Sequence, residues 1–181
     1  MSLILTWDNP QESFTPVLHH VEIWRGTPDP FAGNQPIATD APWGLFEDLN
    51  ENNELQQYAV VYVDYGGGWT VIINNFDIRR YKRPDDTCKI SFNLVQPDGS
   101  PDSGRDIEIS DEPSGSAFTR RIVTNLKGHA IFFGKYGRRL LLRIDGREKA
   151  LDFVVPKTRE ISHEALRGFG TEIESDRRGL V

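Results

Sequence analysis

The sequence predicts an all-β protein: two small antiparallel β-sandwich domains in tandem, followed by a mostly irregular C-terminal tail. Three observations predict it. Apolar residues recur mostly with a period of two rather than 3.6, the alternation of half-buried strands. Sixteen Gly and eleven Pro are spread along the 181 residues and separate short apolar runs. The charge also changes abruptly at one point. Residues 1–78 hold one basic residue, Arg25, against 11 Asp and Glu, a sum of −10. Residues 79–181 hold 20 Lys and Arg against 16 Asp and Glu, a sum of +4. The break falls on Arg79-Arg80-Tyr81-Lys82-Arg83 and suggests two units with different surfaces.

The strands follow in order. Leu3, Leu5 and Trp7 alternate with Ile4 and Thr6 until Asp8-Asn9-Pro10 breaks the run. Val21-Glu22-Ile23-Trp24-Arg25 is stopped by Gly26-Thr27-Pro28, and shorter candidates stand at Ile37-Ala38 and Gly44-Leu45-Phe46. The run from Tyr58 to Val63 is the strongest strand, rich in β-branched and aromatic residues. Asp64-Tyr65-Gly66-Gly67-Gly68 turns it back into Trp69-Thr70-Val71-Ile72-Ile73. In the second half Lys89–Val95 alternates cleanly, and further strands are expected at 106–109, 119–124, 129–133, 139–144 and 151–155. Beyond Pro156 the alternation stops, and Ser162 could cap a short helix to Arg167. The expected organisation is a sandwich over 1–78, a basic linker over 79–86, a second sandwich over 87–156 and a flexible or partner-docking tail over 157–181. Leu166 and Phe169 are the candidate docking residues of that tail.

Composition narrows the function classes. The segment after Met1 is too short and uncharged for a secretory signal, and no apolar run approaches the length that spans a bilayer. The single Cys88 cannot form an internal disulfide, and its strand-like setting reads as a small buried core residue.

Residues 3–78 resemble a fibronectin type III domain. Trp7 in Leu-Thr-Trp-Asp, the strand Val21–Arg25, Leu49 and Tyr58 stand where that family has its Trp, its Tyr-x-Val strand, its Leu and its corner Tyr. The gap from Leu49 to Tyr58 is longer than the family habit, and the first strand is missing or very short. Residues 87–156 resemble a carboxypeptidase regulatory-like domain, a transthyretin-like sandwich. The Pro97-Asp98-Gly99-Ser100-Pro101 turn, the strand at Ile107–Ile109 and Thr124-Asn125-Leu126-Lys127-Gly128-His129-Ala130 carry that resemblance. Gly128 supplies the positive φ of a tight turn. Together the pair resembles structural proteins of tailed-bacteriophage virions. That resemblance implies a non-enzymatic part of the head–tail junction, tail or capsid surface. It would be assembled in the host cytoplasm and held by contacts with other virion proteins in a symmetric multi-copy assembly.

No catalytic residues, metal ligands or cofactor are expected. His19 and His20 are adjacent, and adjacent residues of a regular strand face opposite sides, so they could not share a metal. His129 and His163 stand apart from other ligand types. Asp98, Asp102 and Asp106 lack the EF-hand spacing and read as turn residues bonding nearby backbone. Ser114-Gly115-Ser116 lacks the frame of a nucleophile elbow.

Two surfaces are candidates for contact. With Tyr58, Val60, Tyr62, Val21 and Ile23 facing the core, Trp24, Val61 and Val63 face outward. That patch is either a protein interface or is covered by the 26–45 loop, which holds Phe31 and Trp43. Arg79, Arg80, Lys82 and Arg83 form a basic hinge that fixes domains or subunits by charge. DNA contact is the lesser alternative, because the whole chain is −6. A glycan-binding or adhesion role, with Trp24, Trp43 and Trp69 stacking on sugars, is the rival from another class. No membrane partner is expected.

Overall fold

The computed structural model describes residues 2–10, 18–50, 55–111, 120–144 and 149–174. The chain divides into two compact units, 1–84 and 85–181.

The described residues of the first unit hold six strands: β1 (Leu3–Thr6), β2 (Leu18–Gly26), β3 (Leu45–Asp48), β4 (Gln57–Asp64), β5 (Trp69–Ile73) and β6 (Arg79–Lys82). They form two three-stranded sheets, β3-β1-β6 and β2-β4-β5, all antiparallel. The period-two pattern places Leu3, Leu5, Val21, Ile23, Tyr58, Val60 and Tyr62 in one buried cluster between them. Trp7 joins that cluster, and its Nε1 donates to the Tyr62 hydroxyl at 2.9 Å. The hydroxyl in turn donates to Asn9 Oδ1 at 2.7 Å, so a buried phenol and a buried indole satisfy each other. Burial raises the Tyr62 phenol well above its ordinary range, with the Trp7 hydrogen bond opposing in part.

Tyr58 is also fully buried, but its hydroxyl donates to the side chain of Asp48 at 2.6 Å. Arg25 donates to both oxygens of the same carboxylate, at 2.8 and 2.7 Å. Leu49, which stands where the resembling family has its Leu before the corner Tyr, is 73% exposed. The chain leaves β3 one residue earlier and the Leu49 side chain projects to solvent.

The segment 79–82 is a strand and not a linker. β6 pairs with β1 opposite β3, with Thr6 facing Arg79 and Leu3 facing Lys82. β6 thus completes the β3-β1-β6 sheet from the far end of the unit. The boundary therefore lies at Pro84. The first unit then sums to −6 and the second to zero, because the basic cluster belongs to the acidic unit.

The second unit holds β7 (Thr87–Asn93), β8 (Asp106–Ser110), β9 (Arg120–Val123), β10 (His129–Lys135), β11 (Arg139–Ile144), β12 (Lys149–Val154), β13 (Glu160–Ser162), α1 (His163–Leu166) and β14 (Gly170–Glu174). One sheet has the order β10-β7-β13 and the other β14-β12-β11-β8-β9. Cys88, Ile90, Phe92, Phe132, Ile107, Ile109, Leu140, Leu142 and Phe153 form the core between them. Gly128 has φ +74 at the turn into β10. Its amide donates to Asn125 O, and its carbonyl accepts from Leu94 N, both at 2.9 Å.

Residues 157–174 are integrated into this unit and do not form a flexible or docking tail. β13 pairs with β7 in parallel, and β14 pairs with β12. Ser162 caps α1 by accepting from Ala165 N. Leu166 is fully buried in the unit's own core, whereas Phe169 is 55% exposed. Alternation alone does not reveal these elements, because β13 and β14 are short edge strands with mainly exposed side chains. Residues 175–181 lie outside the described residues.

Candidate interaction surface

The outer face of the β2-β4-β5 sheet carries the aromatic signal read from the sequence, in a different arrangement. Val61 pairs with Glu22 and Ile72, and Val63 with His20 and Trp69. The alternation is as expected: Trp24, Ala59, Val61 and Val63 form their own cluster, separate from the main core. They are not an exposed patch, however. Val61 is fully buried, and Trp24 and Val63 nearly so.

Phe31 covers them. It sits in a 3-10 turn over Pro30–Gly33, where Asp29 Oδ1 accepts from the Phe31 amide at 2.7 Å. The loop beyond is tied to β2 where Ile37 N donates to Ile23 O and Ile23 N donates to Ala38 O. Trp43, the other residue expected to give cover, packs instead against Tyr62 on the core side.

Trp69 completes the cover and opens it to solvent. Asp64 Oδ1 accepts from the amides of Gly66 and Gly68, both at 2.8 Å, which shapes the β4–β5 turn. A register shift next to Val63 sets Trp69 against it. The Trp69 ring stacks on Phe31 at 5.1 Å and meets Trp24 edge-on at 5.2 Å. It is nevertheless 48% exposed, and Ile72, two rungs further along the same side, is 43% exposed. β5 is the outermost described strand of its sheet. Its five residues, Trp69-Thr70-Val71-Ile72-Ile73, hold no charge and no proline, the usual protections of an edge. Tyr65 and Phe76 flank it with their rings in solvent. The alternation that turns Trp24, Val61 and Val63 away from the main core is legible in the sequence. The Phe31–Trp69 stacking is not, because a contact between a loop and a hairpin strand leaves no periodic trace.

The basic cluster separates into different roles. Arg79 pairs with Asp8 at 2.7 Å on the open surface. Arg80 donates to Gln56 O at 2.9 Å and lies over the Tyr58 ring at 5.9 Å. Arg83 is buried, 2.7 Å from Glu47, and that carboxylate also accepts from Ser2 Oγ at 2.6 Å. Lys82 lies on the exposed strand between them. Arg79 and Arg83 therefore pair with acids of their own unit, and residues 79–82 lie in a strand rather than in a hinge. Arg120 and Arg121 likewise pair with Asp111 and Asp106.

Asp98, Asp102 and Asp106 do not converge. Asp98 accepts from the Ser100 hydroxyl and amide, which lower its pKa, while Asp102 pairs with Arg105. Ser114-Gly115-Ser116 lies outside the described residues. Cys88 is fully buried, and His163 is buried with its ring stacked on Phe92 at 5.2 Å. Among the described residues no three His, Cys, Asp or Glu side chains converge as metal ligands, and no helix is long and apolar enough to cross a membrane.

A shallow cleft of about 380 Å³ lies beside the β12–β14 edge, lined by Val154, Phe169 and the Arg139–Asp152 pair. Arg139 donates to Asp152 through Nε at 2.9 Å and Nη2 at 2.5 Å. That bidentate contact lowers the Asp152 pKa and raises that of Arg139.

The chain matches no protein-family model, no curated protein and no solved structure.

Proposed function

We propose that this chain is a non-enzymatic structural component of a tailed-phage virion, acting through protein–protein contacts in a multi-copy assembly. The observation that carries the protein-contact reading is the β5 edge. An uncharged outer strand presents Trp69 and Ile72 to solvent, with the Trp69 ring held by Phe31 and Trp24. A pre-positioned aromatic on an unprotected edge combines two features of binding surfaces, an anchor side chain and a backbone template for a further strand. The virion setting rests on the resemblance of the two tandem sandwich units to phage structural modules, and two small β-sandwiches in succession support it.

The test is made on purified particles of the phage whose genome carries the gene. The chain should be present in them at a fixed multiple of the major capsid protein, measured by quantitative mass spectrometry. Complementation with Trp69→Glu should leave the folded chain in the lysate and off the particle. A chain that is found only in the lysate overturns the virion reading. Normal incorporation of Trp69→Glu moves the contact away from β5. Binding of the free protein to a glycan array, lost in Trp69→Ala, would favour the adhesion reading instead.

A further inference from the structure

We propose that His19 and His20 form a chelating pair for a borderline divalent transition-metal ion of tetragonal preference, Cu²⁺ or Ni²⁺. This inference is independent of the β5 contact and of the virion setting.

On a regular strand the two rings would point to opposite faces. The pairing of β2 with β4 is not regular there: the register shifts between Leu18 and His20. Such an irregularity re-aims one side chain. The two Nδ1 atoms consequently lie 2.9 Å apart, and both residues are partly exposed at the end of the strand. Two nitrogens bound to one ion at right angles, with bonds of about 2.0–2.1 Å, are about 2.9 Å apart. The pair thus already has the separation of two adjacent ligands, with the lone pairs still aligned along the hydrogen bond between them.

The neighbouring groups fix which nitrogen of His20 carries the lone pair. Glu22 Oε1 lies 3.3 Å from His20 Nε2, and an ionised carboxylate only accepts. His20 therefore holds its proton on Nε2 and leaves Nδ1 open. Glu22 is oriented in turn by Trp24, whose Nε1 donates to its other oxygen at 2.9 Å. A carboxylate holding the distal N–H of a ligating imidazole is the usual support behind such metal sites. The His19 ring is steadied edge-on by Tyr65 at 5.0 Å. Without metal, His19 donates its Nδ1 proton to His20 Nδ1. With metal, that proton moves to His19 Nε2, and both Nδ1 lone pairs turn to the ion. The exchange needs a tautomer change and a rotation that turns each lone pair about 45° away from the line between the two nitrogens. Two imidazoles fill part of the shell, water fills the rest, and imidazole ligation ranks Cu²⁺ above Ni²⁺ and Zn²⁺.

The experiment is calorimetric titration of the untagged full chain with Ni²⁺ and Cu²⁺, with the electron paramagnetic resonance spectrum of the Cu²⁺ form. One equivalent should bind in the micromolar range, with nitrogen hyperfine structure from two imidazoles. His19→Ala and His20→Ala should each abolish that equivalent, and Glu22→Gln should weaken it about tenfold. Metal should raise the melting temperature of the wild type and not that of His19→Ala, which separates loss of the site from loss of the fold. Equal affinity and stoichiometry in the wild type and a His19→Ala/His20→Ala variant would overturn the proposal, as would absence of binding by the wild type.

Discussion

Arg83 lies 2.7 Å from Glu47, with only 2% and 4% of the two side chains exposed. Arg79, four residues earlier in the same basic run, lies 2.7 Å from Asp8 with 64% and 88% exposed. Equal distances carry different consequences, because the cost of losing one partner depends on whether water can replace it. Arg83→Met should destabilise the first unit by about 3–5 kcal/mol, since it leaves a buried carboxylate without its counter-charge. Arg79→Ala should cost less than about 1 kcal/mol. Denaturant unfolding of both variants measures the contrast. Equal costs for the two would remove the structural distinction drawn between them.

The first unit should lose stability in alkali through Tyr58 and Tyr62. Burial raises both phenols, and for Tyr58 the Asp48 carboxylate raises it further while Arg25 opposes. An unfolded tyrosine titrates near pH 10. The folded state keeps protons that the unfolded state has begun to lose. The stabilisation is thus complete below about pH 10 and falls as pH rises beyond it. The denaturation midpoint of the first unit should drop across that window. Tyr62→Phe should flatten the drop, while costing about 1–3 kcal/mol at neutral pH by leaving the Trp7 indole N–H without its partner. A midpoint that is flat above pH 10 in the wild type would contradict the burial of these phenols.

What was legible in the sequence follows from which residues face a core. Tyr58, Val60 and Tyr62 alternate with Val61 and Val63, and the structure buries the two sets on opposite faces as that alternation requires. The alternation in β7 is equally plain, with Cys88, Ile90 and Phe92 facing the second core. β6 was not legible, because its four side chains are exposed and carry no buried alternation to mark its pairing with β1. The cover over Trp24 is half legible: Phe31 of the 26–45 loop provides it, as one of the two readings of that patch expects, whereas Trp69 joins it through a contact remote in sequence. The approach of His19 to His20 depends on a register shift, which residue identity does not announce.

Leu166 tests whether 157–174 belongs to the second unit. The side chain is completely buried, so Leu166→Ala should cost about 2–5 kcal/mol. Phe169→Ser should cost much less, because that ring is already 55% exposed. Amide exchange on the free protein should show protection in Gly170–Glu174, where β14 pairs with β12. Rapid exchange there, with a silent Leu166→Ala, would restore a mobile tail that docks only on a partner.

Gly128 and Gly99 separate backbone strain from close approach. Both have positive φ, +74 and +86, so alanine is strained at either. A Cβ at Gly99 would meet nothing within 4 Å, whereas one at Gly128 would stand 2.1 Å from the Leu94 carbonyl oxygen. That carbonyl cannot withdraw freely, because it accepts from Asp102 N while Leu94 N donates to Gly128 O. Gly99→Ala should therefore cost about 1 kcal/mol, the strain alone. Gly128→Ala should cost well over about 2 kcal/mol, because the chain must also break the turn's hydrogen bonds or move Leu94. Thermal unfolding of the second unit measures both. Similar losses for the two variants would mean that the backbone at Leu94 yields, and that the turn into β10 is not the rigid junction these bonds describe.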